Sequence, residues 1–185
     1  MEFAAEYASN NYLCKQNIMV IFYYGINENY NKMTIKRRIA MLLSTWFGCG
    51  FFKPAPGTSG SLAALPIAWV LTELGGYQAL AVATIIITAI GVWASNVHSQ
   101  ELLEEDPPQV VIDEVAGQLL TLLVVPPTFI NYLIGFVLFR IADIVKPWPA
   151  NWVDQNIKGG LGIMLDDILA ATYAGAGLLI ALSWL

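Results

Sequence analysis

The sequence predicts an all-α fold: a multi-helix integral membrane bundle of about five hydrophobic helices, carrying one polar site that faces the cytoplasm. Three observations predict it. The 185 residues are 57% hydrophobic and 12% charged, against roughly 45–50% and 25% in an ordinary soluble domain. The apolar residues gather in five runs, 62–74, 77–97, 115–125, 129–145 and 168–185. The remaining charge is bunched between the runs, above all from Arg140 to Asp167, where Arg140, Lys146 and Lys158 are the only cations after Lys53. The length suits one domain with a real core. A net charge of -5 with no long basic tract leaves no electrostatic footprint for nucleic acid. Cys14 and Cys49 have neither metal spacing nor the numbers for a disulfide framework.

Residues 1–32 are rich in Asn and Tyr and hold one apolar run, 18–24, too short to span a bilayer. Glu2 and Glu6 stand where a signal peptide would be cationic. This stretch reads as an N-terminal extension of unknown role ahead of a domain over 33–185, with the native start expected at Met33. From residue 35 to 47 a basic turn leads into Ile39, Met41, Leu42, Leu43, Trp46 and Phe47, which suits a helix at the membrane interface or a first core helix.

Gly75-Gly76 joins the first two apolar runs, and Pro126-Pro127 joins the third and fourth. Joints that short force antiparallel helical hairpins. With both joints on one side, residues 36–60, 95–114 and 146–167 lie on the other, and Lys36, Arg37, Arg38 and Lys53 make that side cytoplasmic. The expected layout has the N-terminus inside, five crossings and the C-terminus outside. Runs 62–74 and 115–125 fall short of the roughly 20 residues of a full span, so partial insertion and a soluble helical bundle stay open.

Arg140 and Asp143 are three apart near the end of the fourth helix and share a face. Ionisable groups in such a segment are costly and mostly functional, although a snorkelling ion pair is the plain alternative. Pro147 ends that helix and holds Lys146 at the loop entrance. Asp166 and Asp167 are expected to open the last helix after Gly159-Gly160-Leu161-Gly162, and Asp113 and Glu114 to precede the third. One acidic residue at each start is an ordinary cap; the second is unexplained. Asp113, Glu114, Asp143, Asp166 and Asp167 thus converge from three helix ends on one side. Carboxylates gathered there repel unless a cation holds them, and an all-oxygen set selects Mg2+ or a similar hard ion, which suits phosphoryl chemistry. Arg140, Lys146 and Lys158 would take phosphate charge. The turn Pro56-Gly57-Thr58-Ser59-Gly60-Ser61 offers backbone amides and the hydroxyls of Thr58, Ser59 and Ser61 to phosphate, or serves only as a tight turn with N-caps. It lacks the Lys of a nucleotide-binding loop, so no nucleotide is expected. His98 is the only histidine, and the cysteine-phosphatase and aspartyl-phosphate motifs are missing. Metal-activated water and a carboxylate nucleophile both remain.

Four stretches carry a family resemblance: Phe47-Gly48 with Pro56-Gly57-Thr58-Ser59-Gly60-Ser61-Leu62; Asp106-Pro107 with Val111-Ile112-Asp113-Glu114-Val115-Ala116-Gly117; Phe139-Arg140-Ile141-Ala142-Asp143-Ile144-Val145-Lys146-Pro147-Trp148-Pro149; and Gly159 to Asp167. In this order they resemble phosphatidylglycerophosphatase A, from about Trp46 to the C-terminus. The resemblance implies a multi-pass enzyme of the bacterial inner (cytoplasmic) membrane, Mg2+-dependent, that removes the terminal phosphate of phosphatidylglycerophosphate to give phosphatidylglycerol. It implies Asp113, Glu114, Asp143, Asp166 and Asp167 as the metal set, and Arg140 and Lys146 on the phosphate. Residues 104–109 are more acidic and proline-rich than it leads one to expect. Two rivals stand beside it. One is a membrane transporter or channel lined by Arg140 and Asp143; the other is a soluble phosphatase or binding protein of the same helical fold.

Overall fold

The computed structural model describes residues 34–184; the extension over 1–32 and the start at Met33 lie outside them. The chain divides into two units, Met1–Arg38 and Ile39–Leu185. Of the first, only Thr34 to Arg38 is described, where helix α1 (Ile35–Ser44) begins. The second unit carries a 3-10 turn at Cys49–Phe51, then helices α2 (Pro56–Leu102), α3 (Ile112–Leu122), α4 (Phe129–Val145), α5 (Ala150–Asn156) and α6 (Gly159–Leu182). Among the described residues there is no strand.

Helix α2 is interrupted at Gly76, whose φ of 66° and ψ of -171° are non-helical and open to glycine without a side-chain penalty. Its two arms, α2a (56–75) and α2b (77–102), fold back on each other. Gly60 abuts Val111 while Gly91 abuts the next residue, Ile112; in one straight helix those glycines would stand about 46 Å apart. Helices α3 and α4 pair in the same manner, Gly117 against Phe139 and Gly135 against Leu122. Both short joints therefore turn the chain as their residues require.

Helix α4 starts where the side chain of Thr128 accepts the Asn131 amide, an N-cap worth about 1 kcal/mol. It ends at Val145, with Lys146 in the left-handed region (φ 46°) and Pro147 unable to continue the ladder.

The last helix corrects one expectation. α6 begins at Gly159, so the glycine-rich stretch is its first turn, and Asp166 and Asp167 lie well inside it. A cap role for either aspartate is removed. Tertiary packing overrides glycine's poor helix propensity here: a β-carbon at Gly160 would stand 2.0 Å from the Val92 carbonyl oxygen and 2.6 Å from the Asn96 nitrogen. Backbone atoms cannot swing aside. Gly160→Ala is therefore expected to destabilise the fold by about 1–3 kcal/mol, read as an earlier thermal melt in detergent.

The interior mixes small side chains, among them Ala64, Ala68, Ala94 and Ala174, with large apolar ones, Leu80, Leu119, Leu122, Phe139, Met164 and Leu178. Many large apolar side chains also face outward, among them Leu74, Ile85, Phe129, Ile144 and Ile180, each more than 60% exposed. An outer surface this apolar suits contact with lipid. Among the described residues, two helices, α2 and α6, are long and apolar enough to cross a membrane. Five full crossings go beyond this: α3, at 11 residues, is only about 16 Å long against a hydrocarbon core of about 30 Å.

Candidate active site

The site stands at the end of the bundle opposite the Gly76 and Pro126-Pro127 joints. Four helices bring side chains to it. The first turn of α2a supplies Gly57 and Thr58, the first turn of α3 Asp113 and Glu114, the last two turns of α4 Arg140 and Asp143 with Lys146 at its C-cap, and α6 Asp166 and Asp167. With Asp106, Pro107 and Pro108 from the connection between α2b and α3, they line a cleft of about 260 Å³.

Within the cleft the carboxylates sort into two kinds. Oxygens of Asp113, Glu114 and Asp167 lie within 4.8 Å of one another. Asp143 and Asp166 instead each hold a cation: Arg140 Nη1 lies 2.7 Å from Asp143 Oδ2, and Lys146 Nζ donates to Asp166 Oδ2 and to Asp154 Oδ1 at 2.6 Å each. Arg140 also approaches Glu114 Oε1 at 3.9 Å and donates to Ser61 Oγ at 3.4 Å. Burial pulls the Lys146 ammonium toward neutrality, but its bonds to Asp154 and Asp166 outweigh that and raise its pKa above the ordinary lysine value. Asp106 is also raised, by burial first and then by Asp154 and Asp143, with Lys146 opposing.

Asp113 Oδ1, Glu114 Oε2, Asp166 Oδ1 and Asp167 Oδ2 are buried and have no hydrogen-bond partner within the protein. Leaving one such charged oxygen unpaired is costly; four around one cleft is the arrangement expected of a hard-cation site. The donor set fits Mg2+ or a like ion, with Asp113, Glu114 and Asp167 as the closest group.

The other expected residues fare differently. Thr58 lines the cleft. The Ser59 hydroxyl donates to the Cys49 and Pro56 carbonyls, and that of Ser61 to the Gly57 carbonyl, so both tie down the start of α2a, which is helical from Pro56 rather than an open turn. Lys158 lies outside the cleft lining, in an exposed 2.5 Å pair with Glu105. His98 is buried against Ser44, 2.6 Å from its hydroxyl, away from the chemistry.

One contributor was missed in the sequence, and another was read there only for its backbone. Asp106, present there only as part of a motif, lines the cleft together with Pro107 and Pro108. Gly57 is required by close approach: a β-carbon there would stand 2.1 Å from Glu114 Oε1 and 3.0 Å from Arg140 Nη1. Gly57→Ala is expected to displace Glu114 and lower the rate at least tenfold with little change in melting temperature, because the clashing atom is a side-chain end.

Comparison with known proteins gives a consistent result. The phosphatidylglycerophosphatase A family pattern matches residues 42–182. The chain is 37% identical over 155 residues to phosphatidylglycerophosphatase A of Escherichia coli (strain K12), covering 80% of this chain and 89% of the relative. It is 35% identical over 134 residues to the Haemophilus influenzae protein of the same name, 72% and 82% covered. It is 41% identical over 143 residues to a candidate phosphatidylinositol-3-phosphatase of Bacteroides thetaiotaomicron, 74% and 89% covered. No solved structure gives a significant match.

Proposed function

The chain belongs to the phosphatidylglycerophosphatase A family, and on that premise we propose that it is a Mg2+-dependent lipid phosphatase hydrolysing phosphatidylglycerophosphate to phosphatidylglycerol and phosphate. The observation that carries this reading is the cleft itself: buried carboxylates with unpartnered oxygens beside Arg140 and Lys146. Acidic groups alone would repel a phosphate monoester. Acidic groups that hold a cation, flanked by two fixed cationic side chains, attract it.

Asp113, Glu114 and Asp167 would hold the ion, with Asp143 and Asp166 at its margin. Mg2+ supplies Lewis-acid polarisation of the phosphate oxygens when bound. Arg140, held by Asp143, presents its remaining guanidinium N–H groups to the phosphoryl oxygens. Lys146 adds a second positive charge and stays protonated because its pKa is raised. Asp143 or Asp167 takes the proton of an attacking water as its oxygen bonds to phosphorus; the ester P–O bond breaks and the same carboxylic acid returns that proton to the departing glycerol oxygen. Direct attack on phosphorus by either carboxylate is the competing route, and trapping with labelled substrate separates them.

The outward-facing apolar side chains of α2, α4 and α6 support insertion in the inner membrane. There the cleft faces the cytoplasm, consistent with Lys36, Arg37, Arg38 and Lys53 in the sequence. The test is phosphate release from phosphatidylglycerophosphate and from phosphatidylinositol 3-phosphate in detergent micelles. Preference for the first is expected. Preference for the second would move the chain to the inositol-lipid activity named for its Bacteroides relative, and release from neither would end the phosphatase reading.

A further inference from the structure

A second concavity, of about 360 Å³, opens on the outer surface of the bundle and is lined by Leu65, Pro66, Trp69, Phe129, Tyr132 and Leu133. Its walls are the same two helices that flank Arg140. At the polar end of their seam Arg140 of α4 meets Ser61 of α2a; at the other end Tyr132 of α4 meets Trp69 of α2a, with ring centroids 5.4 Å apart. Both contacts lie eight residues apart on each helix, so α2a and α4 run antiparallel in constant register. The Trp69–Tyr132 contact lies about 12 Å along the seam from the Arg140 contact, and the groove begins nearer to it, at Leu65, about 6 Å along. Between the two ends, Leu62 and Val137 are apolar and each nearly half exposed.

We propose that this seam is the track for an acyl chain of the phospholipid substrate, entering sideways from the bilayer with its phosphate in the cleft and its chain in the groove. The proposal rests on the phosphatase reading above. A lipid whose terminal phosphate sits among buried carboxylates must pass its chains out along some helix pair, and this pair is continuous from the cleft to an apolar hollow. About 12 Å also falls within the half-thickness of a hydrocarbon core, about 15 Å. The groove walls offer aromatic and aliphatic surface without charge, which suits a hydrocarbon chain.

The test fills the groove from an exposed position. Leu133→Trp is expected to raise KM for long-chain phosphatidylglycerophosphate about tenfold, while kcat/KM for the headgroup lacking both acyl chains stays within twofold of wild type. Equal loss on both substrates, no loss on either, or a wild type that handles the deacylated headgroup as well as the lipid overturns the track. A second arm needs no turnover: phosphatidylglycerophosphate with a diazirine on one chain is expected to label peptides containing residues 65–69 and 129–133. Unlabelled phosphatidylglycerophosphate should compete and phosphatidylcholine should not. Labelling spread over Ile85 and Ile180, or equal competition by phosphatidylcholine, overturns the track. Wild type inactive on both lipid and headgroup sinks the phosphatase reading instead, and the labelling then decides the track alone.

Discussion

Asp167→Asn is expected to lower phosphate release by roughly 10²–10³-fold and, in EDTA, to leave the protein as stable as wild type or more so. The two halves have one cause. Asp167 is 3% exposed, and its carboxylate lies within 4.8 Å of those of Asp113 and Glu114. Without a cation, these like charges oppose folding, and an amide removes one of them while keeping the shape. With a cation, the same oxygens become ligands, so the substitution removes affinity. Thermal melts separate this from damage to the fold: saturating Mg2+ at about a hundred times its dissociation constant stabilises wild type by about 2.7 kcal/mol and Asp167→Asn by far less. A melt that falls in EDTA would mean that Asp167 is structural.

Arg140→Met is expected to have the larger effect on stability, about 3–5 kcal/mol, together with a rate loss of roughly a thousandfold. The side chain is only 17% exposed and lies between Asp143, Glu114 and Ser61. Removing it leaves the carboxylates of Asp143 and Glu114, 13% and 15% exposed, without that counter-charge. Arg140→Lys keeps the charge but loses the planar fork that can hold Asp143 and phosphate together. It is expected to recover most of the melting temperature and only part of the rate. Full recovery of both would reduce Arg140 to a point charge.

How much of this was legible depended on which interactions are local. The hairpins follow from joints too short for any other connection, and the carboxylates converge because alternating helices bring their ends to one side. The extent of α4 is likewise local, since Thr128 caps it and Pro147 stops it. The start of α6 is not local: Gly159-Gly160-Leu161-Gly162 reads as a turn until Val92, Asn96 and Ile157 stand against it, and only that close packing makes glycine the required helical residue. Helix α5 was hidden in an apparently irregular polar loop for a similar reason. Its buried Ala150 and Val153 pack against the bundle, but seven residues are too few to show a period. Asp106 looked like part of a divergent acidic loop, yet it lines the cleft together with Pro107 and Pro108. Lys158, one of three cations in the same stretch, is drawn to Glu105 instead of the cleft.

The central claim is that these carboxylates act through a bound divalent cation on a lipid phosphate monoester. The most direct measurement is phosphate release from phosphatidylglycerophosphate by EDTA-stripped protein as Mg2+ is added back in detergent micelles. The account predicts negligible release before addition and saturable recovery to the full rate; undiminished release in EDTA would contradict it.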